Sequence, residues 1–202
     1  MSGLPLCTLL GGNHQNDILL YRAISQGTPK EMKNLVKKYK AMGYTRFQLK
    51  LGGNYKNDID RIRACHSALD SQDVLIGDAN TGVEICFSLR LQKLFFVYSG
   101  WLTHHALQIA KSVSDLDSFY MEQPCVSYEE CLTVRKHTDL PFVMDENVND
   151  LKSLVKAWTD HAADVVNIKI SKFGGITKAK EAIEFCTTMG LAMTIEDTWG
   201  GK

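Results

Sequence analysis

Six side chains that could hold a cation or move a proton recur along the 202-residue chain: Lys50, Asp78, Glu122, Asp145, Lys169 and Glu196. Each closes a short apolar run, as in Phe47-Gln48-Leu49-Lys50 and Val166-Asn167-Ile168-Lys169. Asp78, Glu122 and Asp145 are three carboxylates in succession. Acids gathered at one place repel unless a cation lies between them. An all-oxygen set suits a hard ion such as Mg²⁺, which keeps positions open for substrate oxygens. A lysine beside a divalent cation has a lowered pKa and can act as a base near neutrality. The set therefore points to removal of the proton alpha to a carboxylate. A cation on the carboxylate oxygens stabilises the enediolate, and two facing lysines take and return the proton. Glu146 rivals Asp145 as third ligand. Neighbours in a strand point to opposite faces, so register favours Asp145.

The elements that must position these residues alternate. Strands are expected at 18–24, 44–51, 74–78, 119–122, 142–145, 165–170 and 192–196. Amphipathic helices are expected at 29–42, 58–69, 103–113, 128–136, 151–158 and 177–189. Thr28 before Pro29 is a helix N-cap, and Gly43 a stop. The alternation predicts an α/β fold with a parallel sheet. Polar residues closing strand after strand favour a TIM-like (β/α)8 barrel over a doubly wound sheet, which gathers them at one switch point. Seven strands leave the barrel incomplete at the C-terminus.

One interval breaks the period. Successive candidates are separated by 28, 44, 23, 24 and 27 residues. Taking out the 18 residues Val83–Gly100 brings the long gap to 26 and joins Asn80-Thr81-Gly82 to Trp101-Leu102-Thr103. The stretch reads either as unspliced intron sequence or as a genuine loop insertion.

Composition narrows the function classes. Lys plus Arg and Asp plus Glu are 23 each, giving a formal net charge of zero. That excludes a basic nucleic-acid footprint and a polybasic membrane signal. No apolar run reaches the ~18 residues of a membrane span, and the first residues lack the basic flank of a signal peptide. The six cysteines form no CxxC pair and no zinc spacing, which suits a reducing compartment and a cytoplasmic location.

Taken together, Gln-Leu-Lys-Leu-Gly (48–52), Gly-Asp-Ala-Asn (77–80), Glu-Gln-Pro (122–124), Asp-Glu-Asn (145–147) and Lys-Ile-Ser-Lys-Phe-Gly-Gly-Ile (169–176) carry a resemblance. The chain resembles the enolase superfamily, in the branch of mandelate racemase and muconate-lactonizing enzymes, from about Gly3 to Gly201 apart from 83–100. The resemblance implies one Mg²⁺ on Asp78, Glu122 and Asp145. It implies Lys50 as general base, being the second lysine of a Lys-x-Lys motif, and Lys169 as the opposing acid/base. Asn80 and Gln123 would stand behind the metal ligands or beside the substrate. Gln48 departs from the pattern, standing where many members carry the first lysine of that motif. Full-length members carry a capping domain; here it is largely absent, with residues 1–17 as its end and link and 18–202 as a partial barrel.

The ending Glu196-Asp197-Thr198-Trp199-Gly200-Gly201 is similar to members acting on proline derivatives. There Asp197 would face a substrate ammonium and Trp199 offer it a ring face; the other reading is a simple strand-end turn. The implied activity is dehydration or epimerisation (racemisation) of a small amino-acid or hydroxy-acid substrate, proline derivatives being favoured. The implied partner is a small carboxylate, with no nucleic acid and no membrane, in a homo-oligomer as is common in the family. Two other readings stand beside this one. One is a metal-free Schiff-base lyase or aldolase using Lys169. The other is an inactive truncated product with an open sheet edge.

Overall fold

The computed structural model describes residues 3–12, 17–79, 83–88, 93–98 and 100–196, with backbone alone for 83–88 and 93–98. Asn80, Asp197 and Trp199 lie outside the described residues. After a short helix α1 (Leu6–Leu9), the chain runs β1 (Arg22–Ile24), α2 (Pro29–Lys40), β2 (Arg46–Lys50), α3 (Tyr55–His66) and β3 (Val74–Asp78). A hairpin, β4 (Val83–Ser88) and β5 (Lys93–Tyr98), follows. Then come α4 (Thr103–Ser112), β6 (Phe119–Glu122), α5 (Tyr128–Arg135), β7 (Phe142–Met144), α6 (Leu151–Thr159), β8 (Val165–Lys169), α7 (Ile176–Met189) and β9 (Ala192–Glu196).

Seven strands form one sheet in the order β1-β2-β3-β6-β7-β8-β9, and every pairing within it is parallel. Chain order is kept across the whole sheet. A doubly wound sheet would reverse it at a switch point, so this order selects the barrel architecture. The sheet curls far enough that Tyr21, just before β1, hydrogen-bonds Glu196 at the end of β9. The outward side chains of the strands meet helix stripes spaced three or four apart, such as Met32 with Val36 and Ile62 with Cys65. Phe47, Phe119 and Phe142 are the largest of the fully buried side chains.

Two details fix the sheet near its polar rim. A Cβ on Gly77 would come within 2.7 Å of Phe119 Cζ, so only glycine lets that ring close on β3 beside Asp78. Capping boxes at Thr28–Glu31, Ser127–Glu130 and Asp150–Ser153 satisfy the free N–H groups of α2, α5 and α6. These helix starts follow strand ends, so the caps pin the loops of the rim.

The first strand is shorter than the 18–24 read from sequence. Ile18, Leu19 and Leu20 are exposed and unladdered, because only Arg22 to Ile24 find partners in β2. Residues 83–88 and 93–98 pair antiparallel in a sheet of their own, from Val83↔Tyr98 to Ser88↔Lys93. The barrel is anchored on both flanks of this pair. Ala79 N–H donates to Glu122 O (3.4 Å), and Trp101 N–H to Pro124 O (2.9 Å). The Trp101 indole also donates to buried Asp58 at 2.8 Å.

Candidate active site

The strand ends place Lys50, Asp78 and Glu122 side by side, because Lys50 pairs in register with Asp78 and Asp78 with Glu122. Lys50 Nζ lies 2.5 Å from Asp78 Oδ2. Across the mouth, Lys169 is register partner to Glu196, with Nζ 3.8 Å from its Oε2, and donates to Asp145 Oδ2. A third lysine, Lys172, reaches Asp145 Oδ1 at 3.1 Å. It comes from the turn after β8, which folds back through Gly174 and Gly175 at φ 88° and 113°, a region closed to residues with a Cβ. One oxygen each of Glu122, Asp145 and Glu196 lie within 4.8 Å of one another.

Glu122 sits at the centre and is 1% exposed. Burial, then the charges of Asp78 and Asp145, push its carboxyl well above the usual range, against a hydrogen bond from Gln48. Glu146 is raised too, by burial first and then by Asp145 and Asp78, and its Oε2 is buried with no hydrogen-bond partner. β7 ends at Met144, so the strand alternation that separates Asp145 from Glu146 does not extend to this pair. Burial disfavours the charged form of Lys50 and Lys169. The acids around each, Asp78 first for Lys50 and Asp145 for Lys169, outweigh burial and hold both above the ordinary lysine value.

Five carboxylates (Asp78, Glu122, Asp145, Glu146 and Glu196) thus share one volume with Lys50, Lys169 and Lys172. The surplus of acid, the suppressed ionisation of Glu122 and the orphaned Glu146 oxygen all fit a hard divalent cation with oxygen ligands. Among the described residues, the carboxylates that come within cation reach of one another are Glu122, Asp145 and Glu196; Asp78 borders this group from the Lys50 side.

Of the two places open to Gln123 from sequence, it takes the one behind the ligands. It is fully buried behind the site, at φ 36°. Its Oε1 accepts from the N–H of Asp145 (3.0 Å), and its Nε2 donates to Cys125 O (3.1 Å) and to Asn147 Oδ1. It braces the end of β7 and does not face the mouth. Three residues not singled out from sequence do reach the acids: Asn167, Lys172 and Tyr21. Asn167 was readable as a polar residue two before Lys169 on the same strand face. Tyr21, whose hydroxyl pKa is raised by burial and then by Glu196, precedes the paired part of β1 and gave no such signal.

Residues 31–201 match the family model for enolase C-terminal domain-like proteins. The chain is 46% identical over 200 residues to a cis-3-hydroxy-L-proline dehydratase from Roseibium aggregatum, covering 99% of the chain and 49% of the relative. It is 26% identical over 178 residues to an N-succinyl-L-Arg/Lys racemase from Bacillus cereus, covering 87% and 43%. Among solved structures, a mandelate racemase/muconate lactonizing enzyme from Roseovarius nubinhibens ISM superposes with TM-score 0.82 at 34% identity, over 98% of this chain and 49% of that one. An enolase-superfamily member from the same organism, complexed with magnesium, gives 0.81 at 28% identity over 98% and 49%. The chain spans about half the length of the relatives it matches. Sheet order, rim chemistry and these likenesses agree: the chain belongs to the enolase superfamily, in its mandelate racemase/muconate-lactonizing branch.

Proposed function

We propose that this chain carries out Mg²⁺-dependent removal of the proton alpha to a carboxylate, leading to dehydration or epimerisation of a small amino acid, with a 3-hydroxyproline as the favoured substrate. The observation that carries the reading is the meeting of Lys50 and Lys169, from β2 and β8, at one buried acid group centred on Glu122. Asp78, Glu122 and Asp145 hold the cation. Asp78 is preferred to Glu196 as third ligand on the family resemblance and because it is the neighbouring charge that most raises Glu122; Lys50 holds Asp78 just as Tyr21, Asn167 and Lys169 hold Glu196, so engagement does not separate the two.

Bound Mg²⁺ supplies the positive charge that stabilises the enediolate. Lys50, a free amine once a bound cation offsets the charge of Asp78, accepts the alpha proton. Lys169, opposite, gives a proton to the departing beta hydroxyl in a dehydration, so that water leaves, or to the far face of the alpha carbon in an epimerisation. Gln123 keeps the backbone of Asp145 in place while this occurs. The identity to a dehydratase of cis-3-hydroxy-L-proline supports the proline-type substrate, and the racemase relative supports a common first step.

The test follows cis-3-hydroxy-L-proline in D₂O by NMR with Mg²⁺ present, reading exchange at the alpha carbon and loss of the hydroxyl. Lys50→Met and Lys169→Met should each lower turnover by about 10²–10⁴-fold, the usual contribution of a positioned acid or base. Turnover that survives in both variants, or in excess EDTA, overturns the reading.

A further inference from the structure

The two strands that end in lysine each carry an amide two residues earlier: Gln48 on β2 and Asn167 on β8. Side chains two apart in a strand share a face, so both amides point inward, one step of about 6.6 Å below the lysines. Both converge on Glu122, from opposite sides. Gln48 Nε2 lies 2.8 Å from Glu122 Oε2, and Asn167 Nδ2 lies 3.3 Å from Oε1. Gln48 and Asn167 are each 2% exposed. Asn167 also donates to Glu196.

We infer that Gln48 and Asn167 form a neutral amide clamp that sets the orientation of Glu122 toward the cation. This rests on the metal centre proposed above. An ionised carboxylate only accepts hydrogen bonds, and an amide N–H supplies one without adding charge. Donors on both oxygens fix the plane of the carboxylate, and its full negative charge remains for the ion. A lysine at position 48 would also donate, but its ammonium would compete with the cation for Glu122. Gln48 is thus a positioning residue, acting through Glu122, and the departure from the Lys-x-Lys pattern has a physical role.

The clamp separates into two testable parts, the donor and its neutrality. Gln48→Met keeps the length and loses the donor. Gln48→Lys keeps a donor and adds charge. The readout is Mg²⁺ affinity of the full chain by calorimetric titration, with the circular dichroism of the metal-free protein as a check on folding. Gln48→Met should bind Mg²⁺ roughly 10-fold more weakly than the unmodified chain, the lower end of what loss of an outer partner costs a metal site, and Gln48→Lys should also bind it more weakly, through the competing charge. Asn167→Leu should act in the same direction and supplies the second probe if either Gln48 variant fails to fold. Unmodified affinity in the folded variants overturns the clamp while leaving the metal centre intact. An unmodified chain that takes up no Mg²⁺ overturns the metal centre, and the clamp with it.

Discussion

The two ends of the barrel both carry carboxylates at the strand termini, and they treat them in opposite ways. At the end where strands begin, Asp164 and Asp73 each meet a cation and a backbone N–H, with one Asp73 oxygen left buried and unpartnered. Asp164 pairs with Arg135 at 2.7 Å and accepts from Phe142 N–H at 2.8 Å. Asp73 pairs with Lys40 and accepts from Asp70 N–H at 2.8 Å. Where strands finish, acids outnumber lysines and Glu122 is driven toward its neutral form. Matched charge at one end staples helices to strands. Unmatched charge at the other is a standing demand for a ligand.

Exchanging one charged residue at each end should break the symmetry of this comparison most strongly. Asp145→Asn should weaken Mg²⁺ binding more than about 100-fold, beyond the 10–100-fold of an outer partner, with little loss of fold. Arg135→Met should leave Mg²⁺ affinity unchanged but cost roughly 1 kcal/mol of stability, since it removes a solvent-screened ion pair with Asp164 and the donor to the Leu140 carbonyl. Titration calorimetry and urea unfolding read the two effects separately. Equal loss of Mg²⁺ affinity in both variants would show that the ends do not divide in this way. The same titration sharpens the ligand set: Asp78→Asn should cost more affinity than Glu196→Gln.

A smaller effect lies in pH. The Glu122 carboxyl is raised in the folded state by burial and by Asp78 and Asp145. Between its ordinary value of 4.5 and that raised value, the folded chain keeps a proton that the unfolded chain has lost. Stability therefore falls as pH rises through this window. Glu122→Gln should flatten that slope, and so should saturating Mg²⁺, whose charge offsets the ionised acid. Urea midpoints measured from pH 4.5 upward, with and without Mg²⁺, check both. An unchanged slope in Glu122→Gln would mean that another group controls it.

The division between the ends also explains what was legible in the sequence. Strand alternation and crossover length revealed the parallel sheet and the six strand-end positions, because period and spacing are local properties. Chain order across the sheet then decided for the barrel, and it needed coordinates. Asp78, Glu122 and Asp145 were readable because each closes its apolar run. Lys172 was not, since its reach depends on two glycines turning the chain back. The direction of Gln123 was hidden for a similar reason: its positive φ takes it out of strand alternation. Asn80, Asp197 and Trp199, inferred to lie at the site, are outside the described residues and remain proposals.

The hairpin offers the mildest perturbation and sets a third region against the other two. Its strands pair only with each other among the described residues, while Ala79 before it and Trp101 after it are held by β6, the loop that follows and Asp58. Asp58 is itself tied to Arg61 at 2.8 Å and to the Gly52 N–H at 3.1 Å, so the second flank rests on a buried network built without the hairpin. A connection fixed at both ends carries an insertion at little thermodynamic cost, since loop closure grows only slowly with length. Deleting 83–100 should therefore leave the chain folded, with Mg²⁺ affinity within a few-fold and stability unchanged or raised by roughly 1 kcal/mol, the scale of the loop-length term. Circular dichroism, urea unfolding and the Mg²⁺ titration test this together. Loss of the fold on deletion would show that the hairpin is integral to the barrel, and that the matching spacing of the strand ends without it is a coincidence.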